Sequence, residues 1–152
     1  MSGFSAEEFM NDEVEGMLDT TKIPCPVGSY PAVISKVATA TWESKDGSRS
    51  GLKAQIMWEI EDEGVREICL RDKVLCRQDV MLDLTDAGKL DMSKGKNLGL
   101  GRLRTAVGQN GASRWSWRML EGARAMVEVG NRVSDKDPDI IYDEVTKCFP
   151  IQ

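Results

Sequence analysis

Basic side chains fall in clusters along this chain, at positions from which they could hold a polyanion. Seven of them lie in or beside polar or alternating stretches: Lys45, Arg49, Lys53, Arg71, Lys73, Arg132 and Lys136. Proteins bind single-stranded nucleic acids through a basic groove that contacts phosphates and through aromatic rings that stack on bases. These positions predict such a groove if the fold brings the stretches together.

Tryptophan side chains supply the aromatic half of this chemistry. The segment RWSWR contributes four further candidates: Arg114, Trp115, Trp117 and Arg118. This cluster fits a stacking platform and fits packing against a helix equally well. Trp42 is the last residue of a predicted strand and lies beside a polar loop. Its side chain could pack in the core or stack on a base. Trp58 lies on an apolar strand face and is predicted to be core.

Charge is distributed unevenly along the chain. Residues 1–22 contain six acidic residues and one basic residue, so this segment accounts for the formal net charge of −5. Residues 92–120 contain six basic residues and no acidic residue: Lys94, Lys96, Arg102, Arg104, Arg114 and Arg118. This asymmetry predicts an electropositive surface for a polyanionic partner. The alternative is that basic residues fell by chance on one solvated face.

Enzyme signatures are missing from the sequence. There is no histidine, which excludes histidine acid–base catalysis and histidine-containing zinc sites. The glycine run at 95–101 lacks the Lys-Ser/Thr of a phosphate-binding loop, and the aspartates at 135–139 lack the remaining ligands of a calcium loop. The four cysteines form no CxxC pair and are predicted to be reduced thiols, mostly half-buried in strands. We therefore expect a non-enzymatic protein with no catalytic residue, cofactor or metal site.

The sequence contains no run approaching 18 apolar residues, and residues 1–13 do not have the pattern of a secretory signal. We expect a cytoplasmic protein without a membrane contact.

The elements that must position these side chains are mostly strands. Alternation and turn signals predict strands over 30–42, 52–60, 65–76, 122–133 and 140–151, with one helix over 97–107. In the second strand Ala54, Ile56 and Trp58 share one face, whereas Lys53 and Met57 share the other. A Pro- and Gly-rich break at 24–29 separates an acidic arm or short helix, residues 1–22, from a domain of residues 23–152.

This order of elements predicts a fold. Three strands, a helix and two more strands are typical of a mainly β, five-stranded OB-fold-like antiparallel barrel with one helix between strands 3 and 4. In that fold the first loop, the third strand and the last loop converge on one groove. Other five-stranded barrels remain possible.

Four stretches of the chain resemble a known family. They are PVGSYPAVISKV, KAQIMWEIEDEG before a basic third strand, GLGRLRTAVG and MLEGARAMVEV. Together, over residues 23–149, they resemble short phage-encoded, single-stranded-DNA-binding-like OB-fold proteins of replication and recombination modules. The resemblance implies the fold and the role, in the cytoplasm of an infected host. The chain departs from a common pattern of such binders because its acidic segment precedes the barrel and does not follow it.

The leading hypothesis is a non-enzymatic protein that protects or presents single-stranded DNA. The alternative is a structural or protein-interaction module, such as a virion component or host-factor binder, on the same barrel. The acidic arm could compete with phosphates for the groove, recruit replication or recombination proteins, pack on a neighbouring subunit in a homo-oligomer, or cover one end of the barrel.

Overall fold

The computed structural model describes residues 5–151, which form a closed five-stranded barrel with short helices. The strands are β1 (Gly28–Glu43), β2 (Ser50–Ile60), β3 (Leu75–Leu82), β4 (Arg124–Val133) and β5 (Ile141–Phe149). The helices are α1 (Ala6–Asn11), α2 (Glu63–Cys69) and α3 (Leu98–Ala106), and a 3₁₀ turn covers Trp117–Leu120. The prediction of a mainly β barrel with a helix between the third and fourth strands is confirmed.

The barrel closes in the order β1-β2-β3-β5-β4, with β4 returning to β1. Strand β1 pairs with two strands: its residues 28–33 pair with β4, and its residues 32–43 pair with β2. The register with β2 shifts between Ile34 and Lys36, an irregularity of the kind that a β-bulge produces. The expected all-antiparallel sheet is wrong at one place, because β3 and β5 meet in parallel at Arg77 and Glu144.

The barrel interior is filled by alternate residues of the strands. In β2 the side chains of Ala54, Ile56, Trp58 and Ile60 are fully buried, as the alternation predicts. In β4 the buried set is Ala125, Val127 and Val129. Because the inward positions of β2 are even-numbered, its odd-numbered side chains lie on the outside of the barrel.

The prediction of a third strand over 65–76 is wrong. The Asp62 side chain accepts a hydrogen bond from the Val65 N–H at 2.9 Å and thereby begins α2. The helix ends where Leu70 takes a left-handed conformation with φ of 55°. As a result Arg71 and Lys73 lie on the loop that follows α2, and not on a strand face.

Helix α3 follows the prediction over 97–107 within one residue at each end. Leu100, Leu103 and Ala106 form its buried face, whereas Leu98 is exposed. Asn97 does not cap the helix with its side chain. Its side-chain oxygen instead accepts from the Asp83 N–H at 2.8 Å, and its amide group donates to the Asp83 and Asp91 carbonyls at 2.9 Å each. These bonds hold the loop after β3 against the start of α3.

All side chains from Ala6 to Lys22 are exposed, and α1 contains no buried residue. The helix does not cover either end of the barrel in this structure. The four cysteines are free thiols, of which Cys25, Cys69 and Cys76 are buried and Cys148 is half-buried. Only Cys76 and Cys148 lie in strands. No helix within residues 5–151 has the length and apolar character needed to cross a membrane.

Candidate nucleic-acid interface

The outward side chains of β1, β2 and β3 make one continuous surface, which we call the outer face. The strand register shows which side chains lie next to each other on this face. Ala40 is opposite Lys53, Lys53 is opposite Met81, and Met57 is opposite Arg77. Directly opposite residues of paired strands project to the same side of a sheet. The outer face therefore carries cationic and apolar side chains next to each other.

A carboxylate organises the cations at the centre of the outer face. Asp79 lies between Lys53, whose Nζ is 2.9 Å from Oδ2, and Arg77, whose Nε is 3.0 Å from Oδ1. The Lys53 side chain is only 17% exposed, so its ion pair is screened less than a surface pair. The cluster has a formal charge of +1, and its cations are held in fixed positions.

Trp42 lies at one end of the outer face. It is paired with Gly51, and a Cβ atom built on that glycine would lie 2.8 Å from the indole Nε1. The ring is half-buried, and among the described residues its Nε1 is buried without a hydrogen-bond partner. Trp42 therefore packs on the outside of the barrel, whereas Trp58 is fully buried in the core as predicted.

At the other end of the outer face is a groove of about 930 Å³, which crosses the junction of β3 and β5. The charged residues along it are Lys22, Arg71, Lys73, Arg77, Asp79, Arg132, Asp143 and Glu144. Five are basic and three acidic, a formal +2 in a chain of net charge −5. The formal charge of the groove is thus opposite in sign to that of the whole protein.

Three of the groove cations have no acidic partner. Lys22, Arg71 and Lys73 make no ion pair with any residue in the described range 5–151. Arg132 is shared, because its guanidinium lies 5.3 Å from the centre of the Tyr142 ring and its Nε is 3.8 Å from Glu144 Oε1. The ring of Tyr142 is 46% exposed and offers an aromatic surface beside these cations.

Two loops approach each other at the rim of the barrel. Lys45, between β1 and β2, is 3.6 Å from Asp135, between β4 and β5, although both side chains are largely exposed. An exposed pair of this kind adds little stability, but it shows that the loops meet. Arg49 and Lys136 are exposed on these two loops.

The first of these loops is ordered by Asp46, whose carboxylate accepts hydrogen bonds from Ser48 and Ser44. The pKa of Asp46 is lowered to about 2, and the hydrogen bond from the Ser48 hydroxyl contributes most to this. The loop therefore holds its shape through its own side chains.

The RWSWR segment does not join this surface. It follows α3, and none of its residues lines the groove. The Arg104 guanidinium covers the Trp115 ring at 4.6 Å, and the Trp117 ring contacts Trp115 edge-on with centroids 5.1 Å apart. The Trp115 Nε1 donates to Gln109 Oε1 at 2.8 Å. The structure therefore packs this pair against α3, and Arg114 and Arg118 are exposed beside it.

Buried thiols lie where the arm joins the barrel, next to the groove. The Cys25 N–H donates to Asp143 Oδ2 at 2.6 Å, and the Cys69 thiol donates to the Pro24 carbonyl at 3.6 Å. A hydrogen bond between the Cys76 and Cys25 thiols lowers the pKa of Cys25, against the effect of burial, and raises that of Cys76. These contacts fix residues 24–25, so the arm leaves the barrel at a defined point. No cluster of three or more potential metal ligands occurs among the described residues.

Sequence reasoning misses Arg77 and Tyr142. The predicted third strand ends at residue 76, so Arg77 lies outside the predicted strands. Charged residues at positions 77 and 79, two apart, are the pattern of an exposed strand face, as β3 shows. Tyr142 is directly opposite Arg132 across the β4–β5 pair, and the register of that hairpin is the signal that identifies it.

No known protein family matches the chain, and no curated protein sequence matches it either.

Proposed function

We propose that the protein is a non-enzymatic single-stranded-DNA-binding protein, in which the strand follows the outer face from Trp42 to the groove at Arg132 and Tyr142. The observation that carries this proposal is the continuity of one surface with an aromatic ring at each end and cations between them. Each nucleotide offers a phosphate and a base with two flat faces, so a surface of this composition is complementary to an unpaired strand.

The strand order supports an OB-fold assignment. An OB-fold is a five-stranded Greek-key barrel that binds oligonucleotides on the face of its second and third strands, between the first and last interstrand loops. Here the order is β1-β2-β3-β5-β4, and the loops that hold Lys45 and Asp135 meet beside that face. The position of the groove beside this face supports the proposed interface.

The chemistry of the outer face favours a single strand. Met57 and the 53% exposed Met81 provide apolar surface between the cations, which unstacked bases can cover. The rigid phosphate array of a duplex would leave this apolar surface uncovered. Arg71 and Lys73 are the best candidates for phosphate contacts, because a phosphate would not have to displace a carboxylate from them.

The resemblance to phage single-strand binders supports a role in DNA replication or recombination in the cytoplasm of a host cell. The alternative is a protein-interaction module, and exposed apolar residues at the groove favour it: Leu75, Ile141 and Tyr142 are 43%, 42% and 46% exposed. A protein ligand would need these side chains but would not require cations that are free of ion pairs.

Intrinsic tryptophan fluorescence during titration with oligo-dT separates the two functions. We expect quenching with a midpoint that moves to higher oligonucleotide concentration as salt is raised, because phosphate contacts release counterions. The variant Trp42→Phe should lose most of the quenching, whereas the matched control Trp117→Phe should retain it. Absence of binding to both oligo-dT and oligo-U at low salt would rule out the proposed function and favour the interaction module.

A further inference from the structure

A second concave surface lies at α3, away from the outer face. It is a cleft of about 350 Å³ between α3, the loop before it and the loop after it. Its apolar residues include Leu90, Met92, Leu100 and Trp115, and Met92 is 79% exposed. The cleft and the groove have no lining residue in common.

The cleft is bordered by the basic segment 92–120. Lys96 and Arg104 line it, and none of the six basic residues of this segment makes an ion pair within residues 5–151. The Arg104 side chain donates to the Gln109 carbonyl at 3.0 Å, but its Nε is buried with no hydrogen-bond partner among the described residues. Asp91 is the acidic residue that lines the cleft, so Lys96 and Arg104 leave it with a formal charge of +1, and the other basic residues of segment 92–120 add to that charge nearby. An excess of positive charge of this kind favours an anionic ligand.

The acidic arm has the complementary composition. Residues 5–22 contain six acidic residues, and Met10, Val14, Met17 and Leu18 are 78%, 79%, 98% and 85% exposed. Apolar side chains of this size gain free energy when another surface covers them. The barrel of the same chain does not cover them, since every residue from Ala6 to Lys22 is exposed.

We propose that the acidic arm of one copy docks in the α3 cleft of a second copy. The acidic side chains pair with the basic residues of segment 92–120, and the methionine and leucine side chains cover Met92 and the neighbouring apolar residues. Nucleic acid in the cleft would satisfy its charges but would leave the exposed apolar residues of the acidic arm without a partner. This inference does not depend on the proposed DNA binding, because it concerns a different surface.

Sedimentation velocity of the full chain tests the contact, because association of two copies doubles the mass of the sedimenting species. We expect self-association at low salt that weakens strongly as salt is raised, since the Debye length falls from about 30 Å at 0.01 M to about 3 Å at 1 M. Deletion of residues 2–19 should give a monomer with an unchanged circular dichroism spectrum. A full chain that is monomeric at low salt, or a deletion variant that still associates, would overturn the proposal.

Charge reversal locates the contact. Lys96→Glu with Arg102→Glu should reduce association at least tenfold, because both residues are exposed on the basic segment. The matched control reverses Lys36 and Lys147, which are exposed on β1 and β5, and should associate like the original chain. A cleft variant that associates normally but binds oligo-dT more weakly would assign the basic segment to nucleic acid and reject the arm.

A mixing experiment distinguishes an arm that docks on a second copy from an arm that docks on its own chain. The arm variant Glu13→Lys with Glu15→Lys and the cleft variant Lys96→Glu with Arg102→Glu should each be monomeric. Their mixture should form a heterodimer, because each arm then meets a cleft of opposite charge. An arm that folds onto its own cleft or its own groove would give no heterodimer and would overturn the proposal. Of these two, only an arm in its own groove would make arm deletion tighten oligo-dT binding.

Discussion

The indole ring of Trp42 packs against the backbone of Gly51, so closely that a Cβ atom on the glycine would lie 2.8 Å from Nε1. The two residues are register partners at the end of the β1–β2 ladder. A glycine at position 51 is thus what allows the ring to lie on the outer face, beside Lys53.

The variant Gly51→Ala is expected to push the Trp42 ring away from the strand. We predict a fall in oligo-dT affinity of about tenfold, because stacking on one aromatic ring contributes about 1–3 kcal/mol. The free energy of unfolding should fall by about 1 kcal/mol, as overpacked sites do. Fluorescence titration and urea denaturation measure the two effects.

Gly101→Ala is the control for this variant. A Cβ at Gly101 meets no atom within 4 Å, and the residue lies inside α3. Alanine should raise the free energy of unfolding by up to about 1 kcal/mol without changing oligo-dT affinity. Equal affinities of the two variants would contradict a binding role for Trp42.

Asp79→Asn should release both cations of the central cluster. Lys53 Nζ and Arg77 Nε each lie within 3.0 Å of the Asp79 carboxylate, which competes with a phosphate for them. We predict tighter oligo-dT binding at low salt and a steeper dependence of the binding constant on salt. Weaker binding would mean that the carboxylate acts mainly by positioning the cations.

Replacement of Arg71 and Lys73 by alanine should reduce the salt dependence of oligo-dT binding. Removal of one phosphate contact to a single strand lowers the slope of log K against log salt by about 0.7, so the slope of the double variant should be smaller by about 1.4. Lys89→Ala with Lys147→Ala is the control, because both residues are exposed and neither lines the groove. An unaltered slope in the first variant would exclude these two residues from the interface.

The loop between β1 and β2 should keep its structure to low pH. The pKa of Asp46 is lowered from 3.8 to about 2 in the folded protein, chiefly by hydrogen bonds from Ser48. A lowered folded pKa stabilises the fold above the unfolded pKa, so this contribution is present above about pH 4 and disappears as the pH falls toward about 2. An NMR titration of the Asp46 carboxyl carbon should give a midpoint of about 2, whereas Ser48→Ala should move the midpoint upward. A midpoint at the ordinary value of 3.8 in the original chain would show that these bonds do not close the loop.

Much of the barrel can be predicted because its strands carry strong local patterns. Alternation in β2 separates Trp58 from Lys53, and a strand with one buried face cannot slip by one residue without exposing its apolar side chains. The secondary structure of segment 63–82 is ambiguous from the sequence, because the spacing of Val65 and Cys69 fits both the period of a strand and that of a helix. Residues four apart share a face in a strand and in a helix alike, and only the cap at Asp62 distinguishes the two.

The amino-acid sequence by itself determined which residues of β2 face inward, where α3 lies and how unevenly the charges are divided. These properties depend on local periodicity and on composition, which can be read from neighbouring positions. The tertiary structure alone decided that Arg71 and Arg132 share a groove, that Trp42 lies outside the core, and that Trp115 lies under Arg104. Each of these depends on pairing between distant segments, above all the closure of β3 on β5 and of β4 on β1. That closure is set by the joint packing of the whole interior, and no short stretch of sequence encodes it.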